Sequence, residues 1–365
     1  MGFIVFWSTT FLLSFNSLCG WAKPKKESIM AQKVFDVKGV LWGFDFLDSD
    51  RLLITLKKGQ LLLFDLKTKN KSVLLSPQIY AGGQGGLLDI RTLLVNGKNF
   101  IYVTFSEIHN GKATTSLGRG TFRNNVLSNF QTIFRAKIKS DTDRHFGSRI
   151  EVNDEHLFMT IGERGERDLA QDLSWHNGKI LRLTLDGKAA AGNPFSGEEG
   201  LPEIWSYGHR NPQGIAVDPK TFRLWSCEFG PRGGDELNLI EKGKNYGWPV
   251  ITYGREYWGP KIGKTHQNGM EQPIAHWEPS ISPSGMNFYT GNKIKDWENN
   301  LFLANLSSKH LRRLVLENNK VITEEILFKD LNERIRHVRG SPDGFLYFST
   351  DSGKIYKVVK VDNSK

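Results

Sequence analysis

The chain is poor in cysteine, with only Cys19 and Cys227 in 365 residues. Cys19 closes an uncharged apolar stretch, residues 3–18, and is followed by Gly20-Trp21-Ala22. The stretch has the length of a signal-peptide apolar region, with small residues where a peptidase would cut. Residues 1–22 are therefore expected to be a signal peptide, and 23–34 a leader of the mature chain. One thiol then remains and no internal disulfide can form, which a domain with a large core tolerates. The stretch also lacks a preceding Lys or Arg. A short retained N-terminal anchor is therefore the alternative, although the run is marginal for spanning a bilayer. Lipidation at Cys19 is disfavoured by Asn16 and Leu18, which are poor lipobox residues. The expectation is a periplasmic or secreted protein without stable membrane insertion.

Other absences narrow the function. Lys and Arg number 49 against 39 Asp and Glu, a formal charge of +10, yet no basic helix or zinc-finger spacing occurs. The basic residues are spread along the chain, so no nucleic-acid partner is expected. A solvated cationic surface remains, with some arginines available to an anionic ligand in a pocket. No long segment of helical period with caps at both ends is present. Cys227, in the apolar run Leu224-Trp225-Ser226-Cys227, reads as a buried structural thiol.

What is present is short β-rich runs separated by Gly, Asn, Asp and Pro turns. Six segments share a pattern of alternation, polar turn, apolar run and polar turn: 42–66, 89–105, 148–185, 214–240, 284–316 and 336–359. Their centres lie about 45 to 70 residues apart, the period of propeller blades. A four-stranded blade cannot bury both faces alone, so blades stack radially around an axis. The expected fold is all-β, a six-bladed β-propeller of four-stranded antiparallel blades over residues 35–361. Residues 101–135 and 241–280, richer in Gly, Asn and Lys, read as loop insertions.

Polar motifs punctuate the repeats. Gly82-Gly83-Gln84-Gly85-Gly86 permits close backbone approach to a ligand, with Gln84 as donor and acceptor. Arg144-His145-Phe146-Gly147-Ser148-Arg149 puts a His at a blade entrance, as a general-base candidate. Ile161-Gly162-Glu163-Arg164-Gly165 leads to His176-Asn177-Gly178-Lys179. Two longer blocks follow, GHRNPQG at 208–214 and GPRGGDELN to NYGWP at 230–249. Their carboxylates, Asn side chains and exposed carbonyls are hard oxygen donors that suit calcium rather than zinc.

Taken in order, these motifs resemble the soluble PQQ-dependent glucose dehydrogenases and their aldose sugar dehydrogenase relatives. The resemblance runs from about Phe35 to Lys360. It implies pyrroloquinoline quinone (PQQ) and Ca²⁺ as cofactors and oxidation of a sugar at C1 to a lactone. It implies His145 as the base, with Arg210 stabilising charge on the quinone and Gln84 close to both. Asn211, Tyr257, Trp277, Arg334 and Arg336 would hold the cofactor. Calcium would be met by Gly230 and Pro231, and at a second site by Asp235, Glu236 and Tyr246. Without a C-x-x-C-H haem motif, electrons would leave to an external acceptor, a quinone or cytochrome. Three positions depart from the relatives. Ser307 stands where many carry a cofactor-touching Lys, with Lys309 two residues on; Arg144 replaces an acid and Arg164 a neutral amide. A non-catalytic sugar- or protein-binding propeller and a calcium-dependent lactonase are the competing functions. Monomer and homodimer are both compatible with the sequence.

Overall fold

A computed structural model describes Gly2 and residues 28–361, except 154 and 196. The leader reading, with Cys19 and Gly20-Trp21-Ala22, lies outside the described residues. Among those residues, no helix is long and apolar enough to cross a membrane.

Six four-stranded antiparallel sheets form the blades of a β-propeller. The first runs outward through Leu41–Phe46, Arg51–Leu56, Gln60–Asp65 and Lys71–Leu74. The inner strands of the other five are Leu87–Val95, Ile150–Val152, Pro212–Val217, Pro283–Phe288 and Ile335–Gly340. Each of the six sequence segments captures inner strands of its blade but misses the outermost one, and 89–105 misses the outer two. That strand is half exposed and carries a weaker apolar signal, as in Lys71–Leu74. Three expectations are corrected. Residues 101–135 are no insertion: they lie in the long strands Lys98–His109, Lys112–Arg123 and Val126–Arg135 of the second blade. Residues 29–34, placed in the leader, lie in Ile29–Asp36, which pairs with Lys354–Lys360 and completes the sixth blade. The ring is thus closed by a strand from the start of the chain. Of 241–280, read as a loop insertion, 241–274 is a loop region with only isolated bridges, but Ala275–Trp277 is the outermost strand of the fourth blade.

Apolar faces are shared between neighbouring blades. Phe44, Ile54, Tyr347 and Ile355 pack together between the sixth and first blades, and Phe302, Leu311, Val338 and Phe348 between the fifth and sixth. Cys227 is fully buried among Trp225, Leu237 and Met286, and burial raises its thiol pKa.

Near the axis the register of five inner strands slips, skipping Trp42, Leu88-Asp89, Gln213, Ser284 and Arg336. The slips are β-bulges, which re-aim backbone groups. Four of them turn a carbonyl toward one side chain, Arg149, which enters from the remaining blade. Its guanidinium donates to the carbonyls of Gln213 (2.9 Å), Ser284 (2.5 Å), Arg336 (2.8 Å) and Trp42 (3.5 Å), and to Asp89 Oδ1 (3.0 Å). Asp89 Oδ2 in turn accepts the Ile150 N–H at 3.0 Å. One side chain therefore touches all six blades. Burial pulls its pKa down to about 10, so it stays charged at neutral pH.

Removing one partner of a buried ion pair leaves an uncompensated charge, a loss of about 3–5 kcal/mol. Arg149→Met should destabilise the chain by about that amount, read as a lower urea midpoint at unchanged slope. A midpoint equal to wild type would show that blade packing alone closes the ring.

Candidate active site

The inner strands start at one mouth of the channel and end at the other, with Arg149 between. A recess of about 290 Å³ opens on the first side, lined by Trp42, Lys57, Gln84, Phe146, Asn211, Gln213, Phe229, Arg334, Arg336 and Asp351 among others. Its size is at the small end of the range for small-molecule sites, ~300–1,000 Å³. The loops that precede the inner strands build its wall.

His145 stands between two of these lining elements. Its backbone N–H donates to Gln84 Oε1 at 2.7 Å, and its Nδ1 lies 2.5 Å from Glu163 Oε2. The loop bends sharply here: His145 has φ 54° and Ser148 φ 77°, both in the sparsely populated left-handed region. Gly162 makes the bend possible, since a Cβ there would fall 2.0 Å from the His145 carbonyl oxygen. Burial lowers the His145 pKa, Glu163 opposes this, and Arg210 and Arg144 add to the lowering. The imidazole is thus neutral at pH 7, with Nδ1–H donating to the carboxylate and Nε2 left as an acceptor. For Glu163, burial alone would raise the pKa, but His145, Arg210 and the Gly165 N–H hold it below the usual value. Sequence reasoning noted Glu163 without giving it a role. Its position two residues past a strand end was the available signal.

Arg210 is tied to the same assembly. Its carbonyl accepts the Glu163 N–H at 2.8 Å, and its Nη1 donates to the carbonyls of Phe229 (3.0 Å) and Gly230 (2.9 Å). Its buried Nε has no protein partner, and Arg210 lines a small neighbouring cavity with Phe229 and Gly230 rather than the recess itself. Asn211 Oδ1 accepts from the Gly147 N–H at 3.2 Å and from Gln213 Nε2 at 3.3 Å. Gln84, His145, Arg210 and Asn211 are therefore brought together, joined by Glu163. Asn177, from the third motif, braces the Glu163 carbonyl at 3.0 Å, while Lys179 is fully buried on three loop carbonyls.

Arg334 and Arg336 line the recess and both grip Asp351, at 2.9 and 2.7 Å. Trp277 and Tyr257 do not line it. Trp277 is buried in an apolar cluster with Leu237 and Met286, and its indole N–H donates to Glu324 at 3.3 Å. Tyr257 is 66% exposed, on a loop tethered by the Glu256–Arg167 ion pair. The aromatic walls are instead Trp42, Phe146 and Phe229. Arg164, a departure from the relatives, turns away from the recess. It is buried under the His145 loop, donating to the carbonyls of Arg144, Thr142 and Ala113, with its guanidinium 3.4 Å from the Phe146 ring centroid.

Of the residues singled out for a metal, Asp235 is fully engaged. Its oxygens accept from the Gly230, Ile281 and Ser282 N–H groups and the Ser280 hydroxyl, at 2.7–2.9 Å. Glu236 is different. It faces Glu228 directly across two strands, and both line a small cavity with Tyr246 and Gly208. Directly opposed like charges are unfavourable, and Asn238 Nδ2 bridges the two carboxylates at 3.3 and 3.1 Å. Burial, then Glu228, pushes the Glu236 pKa up to about 8. Among the described residues no cluster of three or more His, Cys, Asp or Glu could hold a metal, so an ion here would need backbone carbonyls as well.

The model of one family, glucose/sorbosone dehydrogenase, matches residues 39–357. The chain belongs to the glucose/sorbosone dehydrogenase family. An aldose sugar dehydrogenase of Escherichia coli is 40% identical over 356 residues, covering 93% of this chain and 94% of that protein. The structure of the soluble E. coli aldose sugar dehydrogenase in its apo form has a TM-score of 0.86 at 38% identity, over 92% of this chain and 100% of that one. The PQQ-bound aldose sugar dehydrogenase of Streptomyces coelicolor has a TM-score of 0.77 at 29% identity, over 93% and 99% of the chains.

Glu163→Gln removes the anion that supports protonation of His145. In this family member the imidazole pKa should fall further below its ordinary value, followed by NMR titration of the ring nitrogens. A pKa that rises would refute the assigned tautomer.

Proposed function

We propose that this sugar dehydrogenase oxidises an aldose at C1 to the lactone, with PQQ and calcium, and delivers the electrons to an external acceptor. The observation that carries the reading is the neutral His145 imidazole, locked by Glu163 beside a recess lined with cations. Its free Nε2 is suited to take the proton of the sugar's C1 hydroxyl. Glu163 keeps the tautomer fixed and stabilises the imidazolium that forms.

The recess fits a flat, anionic redox ligand. Trp42, Phe146 and Phe229 offer aromatic walls, and Arg334 and Arg336 carry two positive charges against the one of Asp351. Arg210, in the small cavity that shares Phe229 with the recess, would supply positive charge toward an oxygen that becomes more negative during reaction. PQQ, when bound, supplies a two-electron acceptor. The opposed carboxylates of Glu228 and Glu236 support a cation close by, with Tyr246 beside them. Calcium fits the all-oxygen character of the donors. Gly230 and Pro231 remain the candidates for an ion next to the cofactor. Asp235 already accepts three hydrogen bonds at Oδ2 and one at Oδ1, which makes it a weaker candidate than Glu236. The PQQ-bound relative supports this choice of cofactor.

Reconstitution with PQQ and Ca²⁺ followed by dye reduction against a panel of aldoses tests the reading. His145→Ala should lower turnover by about 10²–10⁴-fold, the usual range for a lost general base, with PQQ affinity retained. Lactone hydrolysis without an electron acceptor would instead favour the lactonase. The metal is checked by stability. Because the folded-state pKa of Glu236 is raised to about 8, the metal-free chain loses stability as pH rises from about 4.5 to 8. Ca²⁺ should restore Tm most at pH 8, and Glu236→Gln should flatten the pH dependence and remove the Ca²⁺ response.

A further inference from the structure

Three cationic side chains line the recess: Lys57, Arg334 and Arg336. The two arginines share Asp351 as counter-ion. Lys57 forms no ion pair with a carboxylate among the described residues. Its ammonium donates to the Gly83 carbonyl, which leaves two of its three N–H donors for a ligand.

The position of Lys57 is built, not incidental. Its N–H donates to the Val40 carbonyl at 2.9 Å, and its own carbonyl accepts the Leu87 N–H at 3.0 Å, so it links the inner strands of the first two blades. Gly86 packs against it where a Cβ would lie 2.1 Å from the Lys57 carbonyl oxygen. The side chain then runs beside the Gln84 turn into the recess. Partial burial lowers its pKa and Arg336 adds to the lowering, while Asp351 and Asp143 oppose it. An arriving anion would offset the repulsion from Arg336. Ser307 and Lys309 offer no substitute. The Ser307 hydroxyl donates to the Ser280 carbonyl at 3.0 Å, Lys309 reaches Asn332 at 3.0 Å, and neither lines the recess.

We propose that Lys57 is a cofactor-binding residue, its ammonium taking a carboxylate of the planar anionic cofactor in this recess. The inference rests on PQQ being that cofactor. It gives the recess a positive charge that forms no ion pair with a carboxylate among the described residues, Asp351 and Asp143 acting on it only at longer range. Charge-assisted hydrogen bonds of this kind are about twice as strong as neutral ones.

The test is titration of the full chain with PQQ in excess Ca²⁺, followed by quenching of tryptophan fluorescence, for wild type, Lys57→Met and Lys57→Arg. The expected result is binding at least tenfold weaker for Lys57→Met, with a shallower salt dependence, and within about threefold of wild type for Lys57→Arg. The Tm of ligand-free Lys57→Met should match or exceed that of wild type, since an unpaired charge beside Arg336 has gone. Lys57→Met binding within twofold of wild type overturns the proposal, as does a lower ligand-free Tm that accounts for the weaker binding. Wild type that binds no PQQ overturns the cofactor reading itself, and this role with it.

Discussion

A single guanidinium holds the centre of this molecule. Inner strands of a propeller converge on an axis where backbone groups from six blades face one another. Buried carbonyls need donors, since each left unpaired costs free energy comparable to a lost hydrogen bond. Arg149 answers with five N–H groups in a fixed plane, and the bulged residues of the neighbouring blades turn their carbonyls toward it. Asp89 balances its charge and carries the link back to the Ile150 backbone. Lysine, a point charge with three donors, could not span this set. The same contact sets the floor of the recess, because Trp42, Gln213 and Arg336 both meet Arg149 and line the cavity above it.

The site above that floor relies on two acidic pairings with opposite electrostatic character. Glu163 has His145, Arg210 and a backbone N–H around it, so its charge is welcome despite burial. Glu236 faces Glu228 with only the Asn238 amide between them and is buried, so its charge is not. The first arrangement orients a base. The second favours the protonated form of Glu236 at neutral pH. Proximity of these pairs comes from the Phe229–Gly230 carbonyls, which Arg210 grips from the His145 side while Glu228 holds the Arg210 N–H at 2.6 Å.

Departures from the relatives acquire physical meaning in the same way. Arg164 turns under the His145 loop and supplies donors to carbonyls that would otherwise be buried unpaired, so it braces the base and leaves the recess unchanged. Ser307 lies outside the recess, its hydroxyl on the Ser280 carbonyl, whereas Lys57 is among the residues that line it.

The blade repeat, the all-β class, the buried Cys227 and the motifs that carry His145, Arg210 and Glu236 were legible in the sequence, because each is a local pattern of polarity, turn residues and spacing. Outer strands were not, because a half-exposed strand has no strong alternation; nor was the closing strand Ile29–Asp36, whose partner lies over 300 residues away. The tertiary structure alone decided which polar residues meet. It set Glu163 on His145, faced Glu228 with Glu236, consumed Asp235 in backbone hydrogen bonds, put Trp277 in the core and brought Lys57 to the recess. Side-chain partners in a closed ring depend on how six distant segments converge, and convergence is a property of the packed whole that no single stretch of residues contains.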